Sequence, residues 1–314
     1  MNKNSRIFIT GHNGLVGSAV YRNLSRNGYK NLIVISKNKL DLKNSVKVNL
    51  FFKKNRIEYM IMCAAKVGGI MDNLINIVDY YNDNILIQNN LLNAALKFRV
   101  KKTIFLGTSC IYPESAKIPI SEDSLFSGKL NYTNEGYAVA KLAGITLSKI
   151  LYNQYGIDIV ALMPTNIYGP NDKYSKIKSH VIPALILKFL NAKRKNLTHV
   201  KLWGDGSPQR EFLYSEDLAE AIRIVLNTSK EKLFNLCKKN FPIINIGSGD
   251  IYSIKELASI IAKKVDYRGK IYFDKSYPNG TLKKNLNFQK ILKLKWRPKI
   301  LLNQGLDVVL KEMI

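Results

Sequence analysis

A glycine-rich turn near the amino terminus constrains the fold of this 314-residue chain more than any other feature. The apolar segment 6–10 predicts a strand, and the pattern of 15–27 predicts an amphipathic helix directly after the turn. Gly11 suits a tight turn, Gly14 lets a pyrophosphate approach the backbone, and Gly17 allows close packing of helix on strand. The helix amino terminus also offers free N–H groups and a favourable dipole to phosphate. We predict a dinucleotide site formed by Gly11, His12, Asn13, Gly14, Leu15, Val16 and Gly17, the alternative being a glycine-rich connection without a ligand.

Strand-like and helix-like segments alternate from this turn as far as Pro164. Strands are predicted at 31–36, 59–65, 102–108 and 157–163, and helices near 43–54, 76–98 and 134–155. Such alternation predicts parallel βαβ units. We therefore expect an α/β fold with a Rossmann-type, doubly wound parallel sheet.

The regular alternation ends after Pro164, which predicts a second, smaller and discontinuous α/β domain. A helix is predicted near 180–193 and a strand near 199–203, while 242–247 and 253–264 read as a returning strand and its helix. We expect residues 1–170, with a returning segment of about 215–264, to form the nucleotide-binding domain. Residues of about 171–214 and 265–314 would form the substrate-binding domain.

Composition indicates an ordinary globular protein with 46% hydrophobic residues. No apolar run approaches the roughly 18 residues needed to cross a bilayer, and no secretory leader precedes the first predicted strand. The three cysteines, Cys63, Cys110 and Cys237, are too sparse to suggest a disulfide framework. The three histidines lack metal-ligand spacing. We expect a cytoplasmic enzyme with neither a membrane partner nor a metal.

The formal net charge of +26 is unusual and raises the question of nucleic-acid binding. The lysines, however, are spread along the whole chain, without a basic tail or the aromatic–basic interleaving of RNA-binding proteins. We therefore expect no nucleic-acid partner. A basic surface would also help to attract an anionic nucleotide substrate.

A tyrosine and a lysine four residues apart, Tyr137 and Lys141, lie on one of the predicted helices. Residues four apart share a helix face, so the ammonium can lie near the phenol and lower its pKa. Such a phenol can give a proton to an oxygen whose carbon has just received a hydride. Together with the glycine turn, the pair predicts a nicotinamide-dependent enzyme that acts on a carbonyl or an alcohol.

Hydroxyl side chains follow the strand predicted at 102–108, where parallel sheets bind ligands. Thr108 could hydrogen-bond a substrate carbonyl beside Tyr137, although Thr108 and Ser109 could equally serve only to cap a turn.

The segment after the second predicted strand bears on the choice of cofactor. NAD sites usually place a carboxylate at the end of the second strand, where it binds the ribose 2′-hydroxyl. In this chain the first carboxylate after that strand is Asp41. Lys37 could instead meet a 2′-phosphate, which favours NADPH as the cofactor, unless Lys37 is only one of many surface lysines.

Cys110 and His180 are further candidates whose roles the residues alone leave open. Buried cysteines are commonly structural, and a single histidine more often makes a structural hydrogen bond than catalyses a reaction.

Several segments of the chain resemble one family, the GDP-L-fucose synthases of the extended short-chain dehydrogenase/reductase class. The resemblance covers nearly the whole chain, from Gly11 to about Trp296. Beyond the glycine turn, the matching segments are AAKVGGI at 64–70, SCIYP at 109–113, NEGY at 134–137 with Lys141, MPTNIYGP at 163–170, SHVIPA at 179–184, WGDGSPQREF at 203–212, and NGT at 279–281 with Lys284.

The resemblance implies 3,5-epimerisation and NADPH-dependent 4-reduction of a GDP-4-keto-6-deoxy sugar. It implies that Cys110 and His180 are the acid and base of the epimerisation. Tyr137, Lys141 and Thr108 would support the reduction. The cofactor would also contact Leu106, Pro164, Asn166, Ile167 and His180. The GDP-sugar would be held by Lys188, Trp203, Arg210, Asn279 and Lys284. A homodimer formed through the helices near 76–98 and 134–155 is also implied.

Four positions depart from the family pattern. Thr108 replaces a serine, Asn13 and Lys188 replace arginines, and Asn279 replaces an acidic residue. Lys188 lacks the bidentate geometry of arginine. These changes leave open a sibling enzyme acting on another GDP-4-keto sugar, from colitose or 6-deoxyheptose synthesis. A nucleotide-sensing protein without catalysis is a further alternative, but it would not need Tyr137 and Lys141.

Overall fold

The computed structural model describes residues 1–175, 179–277, 279 and 281–312. Residues 176–178, 278, 280, 313 and 314, which belong to the expected second domain, lie outside the described residues. The strands are β1 (Ile7–Thr10), β2 (Leu32–Ile33), β3 (Tyr59–Met62), β4 (Lys102–Leu106), β5 (Ile159–Pro164), β6 (Asn166–Tyr168), β7 (His199–Trp203), β8 (Gln209–Tyr214), β9 (Ile243–Ile246), β10 (Ile251–Ser253), β11 (Lys270–Asp274) and β12 (Lys283–Lys284). The helices are α1 (Leu15–Arg26), α2 (Ser45–Asn55), α3 (Ile70–Ile75), α4 (Ile77–Lys97), α5 (Glu135–Tyr155), α6 (Val181–Arg194), α7 (Ser215–Asn227), α8 (Lys230–Leu236), α9 (Ile254–Lys264), α10 (Gln289–Leu292) and α11 (Leu302–Lys311).

Six parallel strands form the central sheet in the order β2-β1-β3-β4-β5-β9. The order reverses between β1 and β3, so the carboxyl ends of these two strands flank a crevice of the kind that binds ligands in open α/β sheets. The predicted α/β, doubly wound sheet is confirmed, and so is the return of 242–247, which forms β9 beside β5. The strand predicted at 31–36 is shorter, because the chain turns at Ser36, whose carbonyl accepts hydrogen bonds from Lys39 and Leu40.

Two hydrophobic clusters cover the two faces of this sheet. One contains buried residues of α1 and α7 and extends to Ile291 and Trp296 near the carboxyl terminus. The other packs α2, α4 and α5 against the opposite face. A third cluster joins α6, α9 and α11 to β7 and β8, away from the main sheet. The sequence suggests that α9 belongs to the returning segment of about 215–264. We propose instead that α9 belongs to the second, substrate-binding domain, called the second unit below, because its buried face lies in this third cluster.

Smaller sheets lie outside the central sheet. β8 pairs in antiparallel fashion with β10 and in parallel fashion with β12 and β6, while β7 pairs in parallel with β11. The fully buried carboxylate of Glu211 on β8 accepts backbone hydrogen bonds from Ser248, Gly249 and Leu286 at 2.7–2.9 Å. Its own carbonyl accepts bonds from the side chains of Thr165 and Asn166. Glu211 therefore ties the loop after β9, the segment after β12 and the end of β5 to one strand.

Helix α5 lies unusually close to its neighbours. A Cβ atom at Gly144 would lie 2.6 Å from the Gln88 amide carbon on α4 and 2.6 Å from the Phe105 ring on β4. The Gln88 amide also donates a hydrogen bond to the carbonyl of Ala140. Close packing at this point sets the height of α5 above the sheet. Within the described ranges, no helix is both long and apolar enough to span a membrane.

We predict that Gly144→Ala destabilises the fold. The added methyl group must displace Gln88 or Phe105, and such overpacking costs about 1–3 kcal/mol, which exceeds the gain of about 1 kcal/mol in helix propensity. The midpoint of urea or thermal unfolding should fall. Thr146→Ala, at an exposed position of the same helix, is the control and should not lower it. An unchanged midpoint for Gly144→Ala would show that the close packing is not needed.

Candidate active site

The polar cluster at the carboxyl end of β4 begins with Thr108. Thr108 caps the short 3-10 helix Ser109–Ile111, and its hydroxyl accepts a hydrogen bond from the backbone N–H of Cys110 at 3.2 Å. Tyr137 is in the first turn of α5, and Thr108 also hydrogen-bonds its phenol. The strand end, the 3-10 turn and the helix start therefore bring Thr108, Cys110 and Tyr137 together, as the sequence predicted for Thr108 and Tyr137.

Burial dominates the electrostatics of Tyr137. It raises the pKa of the phenol well above its usual value, the neighbouring Cys110 raises it further, and the hydrogen bond from Thr108 lowers it. Tyr137 is therefore protonated at neutral pH and is available as a proton donor.

Lys141 interacts with a different group from the one that its spacing suggested. Its ammonium donates a hydrogen bond to the carbonyl of Leu106 at 2.8 Å and lies 5.1 Å from the centre of the Phe105 ring. Burial lowers the pKa of Lys141 to about 8, against a smaller opposing effect of Cys63. The expectation that Lys141 lowers the pKa of Tyr137 is therefore not met here, because the ammonium is held at the end of β4.

Two cations, the half-buried Arg210 and the buried Lys284, lie beside this cluster. They are directly paired residues of the neighbouring strands β8 and β12. Burial lowers the pKa of both side chains, and the electrostatic influence of Cys110 reaches each of them. One guanidinium nitrogen of Arg210 donates to the carbonyls of Gln209 and Thr281 at 2.8 and 2.6 Å. Neither cation forms an ion pair with another described residue. Two adjacent cations that the surrounding protein desolvates favour an anionic ligand.

His180 directly precedes α6 and is not joined to this cluster by a hydrogen bond or an ion pair within the described ranges. The residue is exposed to solvent, yet the surrounding protein lowers the pKa of its imidazole, with a further contribution from Lys173. A side chain that is exposed to solvent and yet surrounded by many protein atoms is expected in the wall of a cleft. No hydrogen bond or ion pair to another described residue joins His180 to Cys110 or Tyr137.

Lys188, Trp203 and Asn279 meet at the rim of the second unit. The Lys188 ammonium lies 5.3 Å from the centre of the Trp203 ring and donates to the carbonyl of Lys201 at 3.0 Å. Trp203 is 46% exposed and stacks on Tyr277, with ring centres 4.9 Å apart and planes 12° apart. The Asn279 side chain accepts the backbone N–H of Asp205 at 2.8 Å. Sequence reasoning missed Tyr277, since no motif marks it, although the exposed ring pair is suited to a planar ligand.

The glycine turn has the geometry of a dinucleotide site. Gly11 has φ +66°, and a Cβ atom there would lie 2.9 Å from the backbone of Ala64. A Cβ atom at Gly17 would lie 2.6 Å from the carbonyl carbon of Gly11, whereas at Gly14 the nearest protein atom would be 3.4 Å away. The protein itself therefore leaves room at Gly14. No side chain caps α1 and no acidic residue lies in its first turn, so a phosphate fits there.

The other candidate cofactor residues surround this crevice or follow the sheet edge. His12, Leu15 and Val16 are half-buried in the turn and α1, while Asn13 and Lys37 are exposed. Leu106 ends β4, Pro164 ends β5, and Asn166 and Ile167 lie on β6. The Asn166 amide donates to the carbonyl of Glu211 at 2.9 Å, so it has a structural partner. Among the described residues, no group of three or more His, Cys, Asp and Glu side chains could hold a metal ion.

Comparison with known proteins places this arrangement in a family. Residues 7–247 match the model of the NAD dependent epimerase/dehydratase family. The chain belongs to this family. The nucleotide crevice of this chain is therefore a site for a nicotinamide dinucleotide. Membership of the family identifies the chain as an enzyme of the oxidoreductase and epimerase type.

Relatives within the family cover almost the whole chain. The chain is 43% identical over 306 residues to a probable GDP-L-fucose synthase 1 of Oryza sativa subsp. japonica, covering 97% of this chain and 90% of that protein. It is 42% identical to a GDP-L-fucose synthase of Escherichia coli (strain K12), covering 96% and 94%. Among solved structures, a GDP-6-OMe-4-keto-L-xylo-heptose reductase of Campylobacter jejuni has a TM-score of 0.92 at 33% identity, covering 100% and 98%. A GDP-L-fucose synthetase of Naegleria fowleri bound to NADP has a TM-score of 0.85 at 26% identity, covering 100% and 96%.

We predict that Lys141 makes stability depend on pH between about 8 and 10. Its pKa is about 8 in the folded chain against an ordinary value of 10.5, so in this window the unfolded chain binds the proton that the folded chain has released. Raising the pH therefore favours the folded state. Relative to Lys141→Met, the wild type should gain up to about 1.4 kcal/mol per pH unit in this window. Urea unfolding at pH 7, 8, 9 and 10 measures the difference.

Lys149→Met, at an exposed position of α5, is the matched control and should keep a constant difference from the wild type. If the difference for Lys141→Met were also constant from pH 7 to 10, the lowered pKa of Lys141 would be wrong.

Proposed function

We propose that this chain catalyses the 3,5-epimerisation and NADPH-dependent 4-reduction of GDP-4-keto-6-deoxy-D-mannose to GDP-L-fucose. The single observation that carries the proposal is the cluster of Thr108, Cys110 and Tyr137 beside two cations that are unpaired among the described residues, Arg210 and Lys284. The cluster supplies proton-transfer groups, and the cations suit a diphosphate. The names of the rice and Escherichia coli relatives, at 43% and 42% identity, support the same product, GDP-L-fucose.

A 4-keto sugar makes both inversions accessible to simple acid–base chemistry. The ketone at C4 acidifies the hydrogens on C3 and C5, so loss of either proton gives an enediolate, and reprotonation on the opposite face inverts that carbon. We assign Cys110 and His180 as the acid and base of these steps. The lowered pKa of His180 keeps its imidazole neutral near pH 7, so that it can accept a proton.

Reduction at C4 then needs a proton on the ketone oxygen. The glycine turn would hold NADPH, which when bound would supply the hydride. Tyr137 donates the proton to the C4 oxygen, because burial keeps its phenol protonated, and Thr108 orients that phenol through their hydrogen bond. Lys141, fixed at the end of β4 by the Leu106 carbonyl, lies on the cofactor side and would hold the nicotinamide ribose. Lys188, Trp203 and Asn279 would hold the nucleotide end of the substrate.

The test is turnover of GDP-4-keto-6-deoxy-D-mannose with NADPH in D₂O, with the product identified by NMR. We expect GDP-L-fucose that carries deuterium at C3 and C5, since both protons exchange with solvent during inversion. NADPH oxidation that yields an uninverted product would contradict the epimerase half of the proposal. No turnover would contradict both halves.

One variant should separate the epimerisation from the reduction. Cys110→Ser should lose inversion at C3 and C5 by at least about 100-fold, as expected for removal of an acid–base group, while NADPH oxidation survives. Cys237→Ala, which removes a buried thiol of the hydrophobic cluster that contains α1 and α7, is the control and should keep both activities. Full formation of GDP-L-fucose by Cys110→Ser would remove its assigned role.

We further propose that the cofactor is NADPH rather than NADH. Lys37 lies exposed in the turn after β2, and no carboxylate precedes Asp41, whose side chain accepts the backbone N–H of Lys43. We predict that Lys37→Ala raises the KM for NADPH about tenfold and leaves the KM for NADH unchanged, since only NADPH carries the 2′-phosphate. Lys39→Ala, in the same turn, is the control. A wild-type preference for NADH would contradict the assignment.

The alternative function is action on a related GDP-4-keto sugar. The Campylobacter jejuni heptose reductase, at TM-score 0.92, favours this alternative, as do Lys188 and Asn279, which change the substrate rim relative to the family pattern. Direct competition between GDP-4-keto-6-deoxy-D-mannose and GDP-4-keto heptoses, compared by kcat/KM, decides between them.

We also propose a homodimer in the cytoplasm. Exposed apolar side chains cover the outer faces of α4 and α5, among them Ile77, Val78, Tyr81, Val139 and Ile150. Pairing of these faces between two copies would bury them. Cys110 must remain a thiol, which suits a reducing compartment. Sedimentation at the mass of a monomer would contradict the dimer.

A further inference from the structure

We propose that Tyr80, anchored by Asp72, is a positioning residue that fixes the ring of Tyr137. The proposal deepens the proposed function, because it concerns the proton donor of the same site. The two rings meet edge to face, with centres 6.4 Å apart and planes at 90°. This is a preferred arrangement of aromatic pairs, in which the positive ring edge meets the negative face.

The Tyr80 side chain has very little freedom. It is 1% exposed, and its hydroxyl donates to a carboxylate oxygen of Asp72 at 2.5 Å. Asp72 is itself 5% exposed, and its other carboxylate oxygen accepts the Asn76 amide at 2.8 Å. Burial and the bond to Asp72 raise the pKa of Tyr80, so its hydroxyl remains a donor. The ring that faces Tyr137 is therefore held at its far end by a paired, buried carboxylate.

The backbone and the ring of Tyr80 are also held by contacts with Asn84 and Lys66. Asn84 accepts the backbone N–H of Lys66 and donates to its carbonyl, both at 3.0 Å, and donates to the Tyr80 carbonyl at 2.7 Å. The Lys66 ammonium lies 5.5 Å from the centre of the Tyr80 ring. Asn84 therefore joins the backbone of α4 at Tyr80 to the segment that follows β3, beside the cofactor crevice.

Close contact between α4 and α5 fixes the position of Tyr137 relative to Tyr80. A Cβ atom at Gly136 would lie 2.6 Å from the carbonyl oxygen of Ile77, so the starts of the two helices touch at the residue before Tyr137. Thr108 contacts the phenol end of Tyr137, and Tyr80 contacts its ring. A proton donor needs both, since a displacement of about 1 Å can cost 100-fold in rate.

The test compares two replacements of Tyr80. Tyr80→Leu removes the aromatic contact, and we expect kcat to fall about tenfold with KM changed less than twofold, because substrate binding groups are untouched. Tyr80→Phe keeps the ring, and we expect kcat within threefold of the wild type. Tyr155→Leu, an exposed tyrosine at the end of α5, is the control and should leave kcat unchanged. An equal loss of kcat in Tyr80→Leu and Tyr155→Leu, or none in Tyr80→Leu, overturns the proposal.

A second readout does not depend on the substrate. With tyrosine labelled by ¹³C at Cζ, the Tyr137 signal is assigned by its absence in Tyr137→Phe. We expect this signal to shift or broaden most in Tyr80→Leu, which removes the ring. A smaller change is expected in Tyr80→Phe and in Asp72→Ala, because both variants keep the two rings but lose the hydrogen bond between Tyr80 and Asp72. An unchanged Tyr137 signal in Tyr80→Leu and Asp72→Ala overturns the proposal, whereas wild-type failure to turn over the GDP-sugar overturns only the proposed function.

Discussion

The close seating of α5 on the sheet is the constraint on which the candidate site depends. Gly144 allows the helix to approach Gln88 and Phe105 within a distance that a side chain at that position would prevent. Lys141 and Tyr137 are carried by the same helix, about one turn and about two turns nearer its start, respectively. Their height above the carboxyl end of β4 is therefore set by packing in the core, and not by the polar contacts that they make. The hydrogen bonds to Thr108 and Leu106 select the final positions within that limit.

Electrostatics around the site favour a polyanionic substrate. Arg210, which is half-buried, and Lys284, which is buried, lie side by side, and desolvation works against their charges. A diphosphate between them would relieve both the desolvation of the cations and their mutual repulsion. The net charge of +26 adds a positive field over the whole molecule, which raises the rate of encounter with anions. The same charge that first suggested nucleic acid is therefore consistent with a nucleotide-sugar substrate.

Local signals made the framework predictable from the sequence. The strand, turn and helix around Gly11 and Gly17 depend on neighbouring residues, and the alternation of elements fixes a parallel sheet. Features that depend on distant partners were not predictable. The spacing of Tyr137 and Lys141 shows a shared helix face, but it cannot show that the Leu106 carbonyl takes the ammonium. Glu211 reads as one acidic residue in a polar strand, although its three backbone partners come from two remote segments. Tyr80 carries no motif at all.

A crystal structure with NADP⁺ and GDP-L-fucose bound would test the proposed active site most directly. We expect the phenol oxygen of Tyr137 within hydrogen-bond reach, about 2.6–3.2 Å, of the C4 oxygen of the sugar. We also expect the diphosphate to contact Arg210 and Lys284, with Cys110 facing the sugar ring. A sugar bound away from Cys110 and Tyr137, or a diphosphate that contacts neither cation, would contradict the central claim that these residues form one active site.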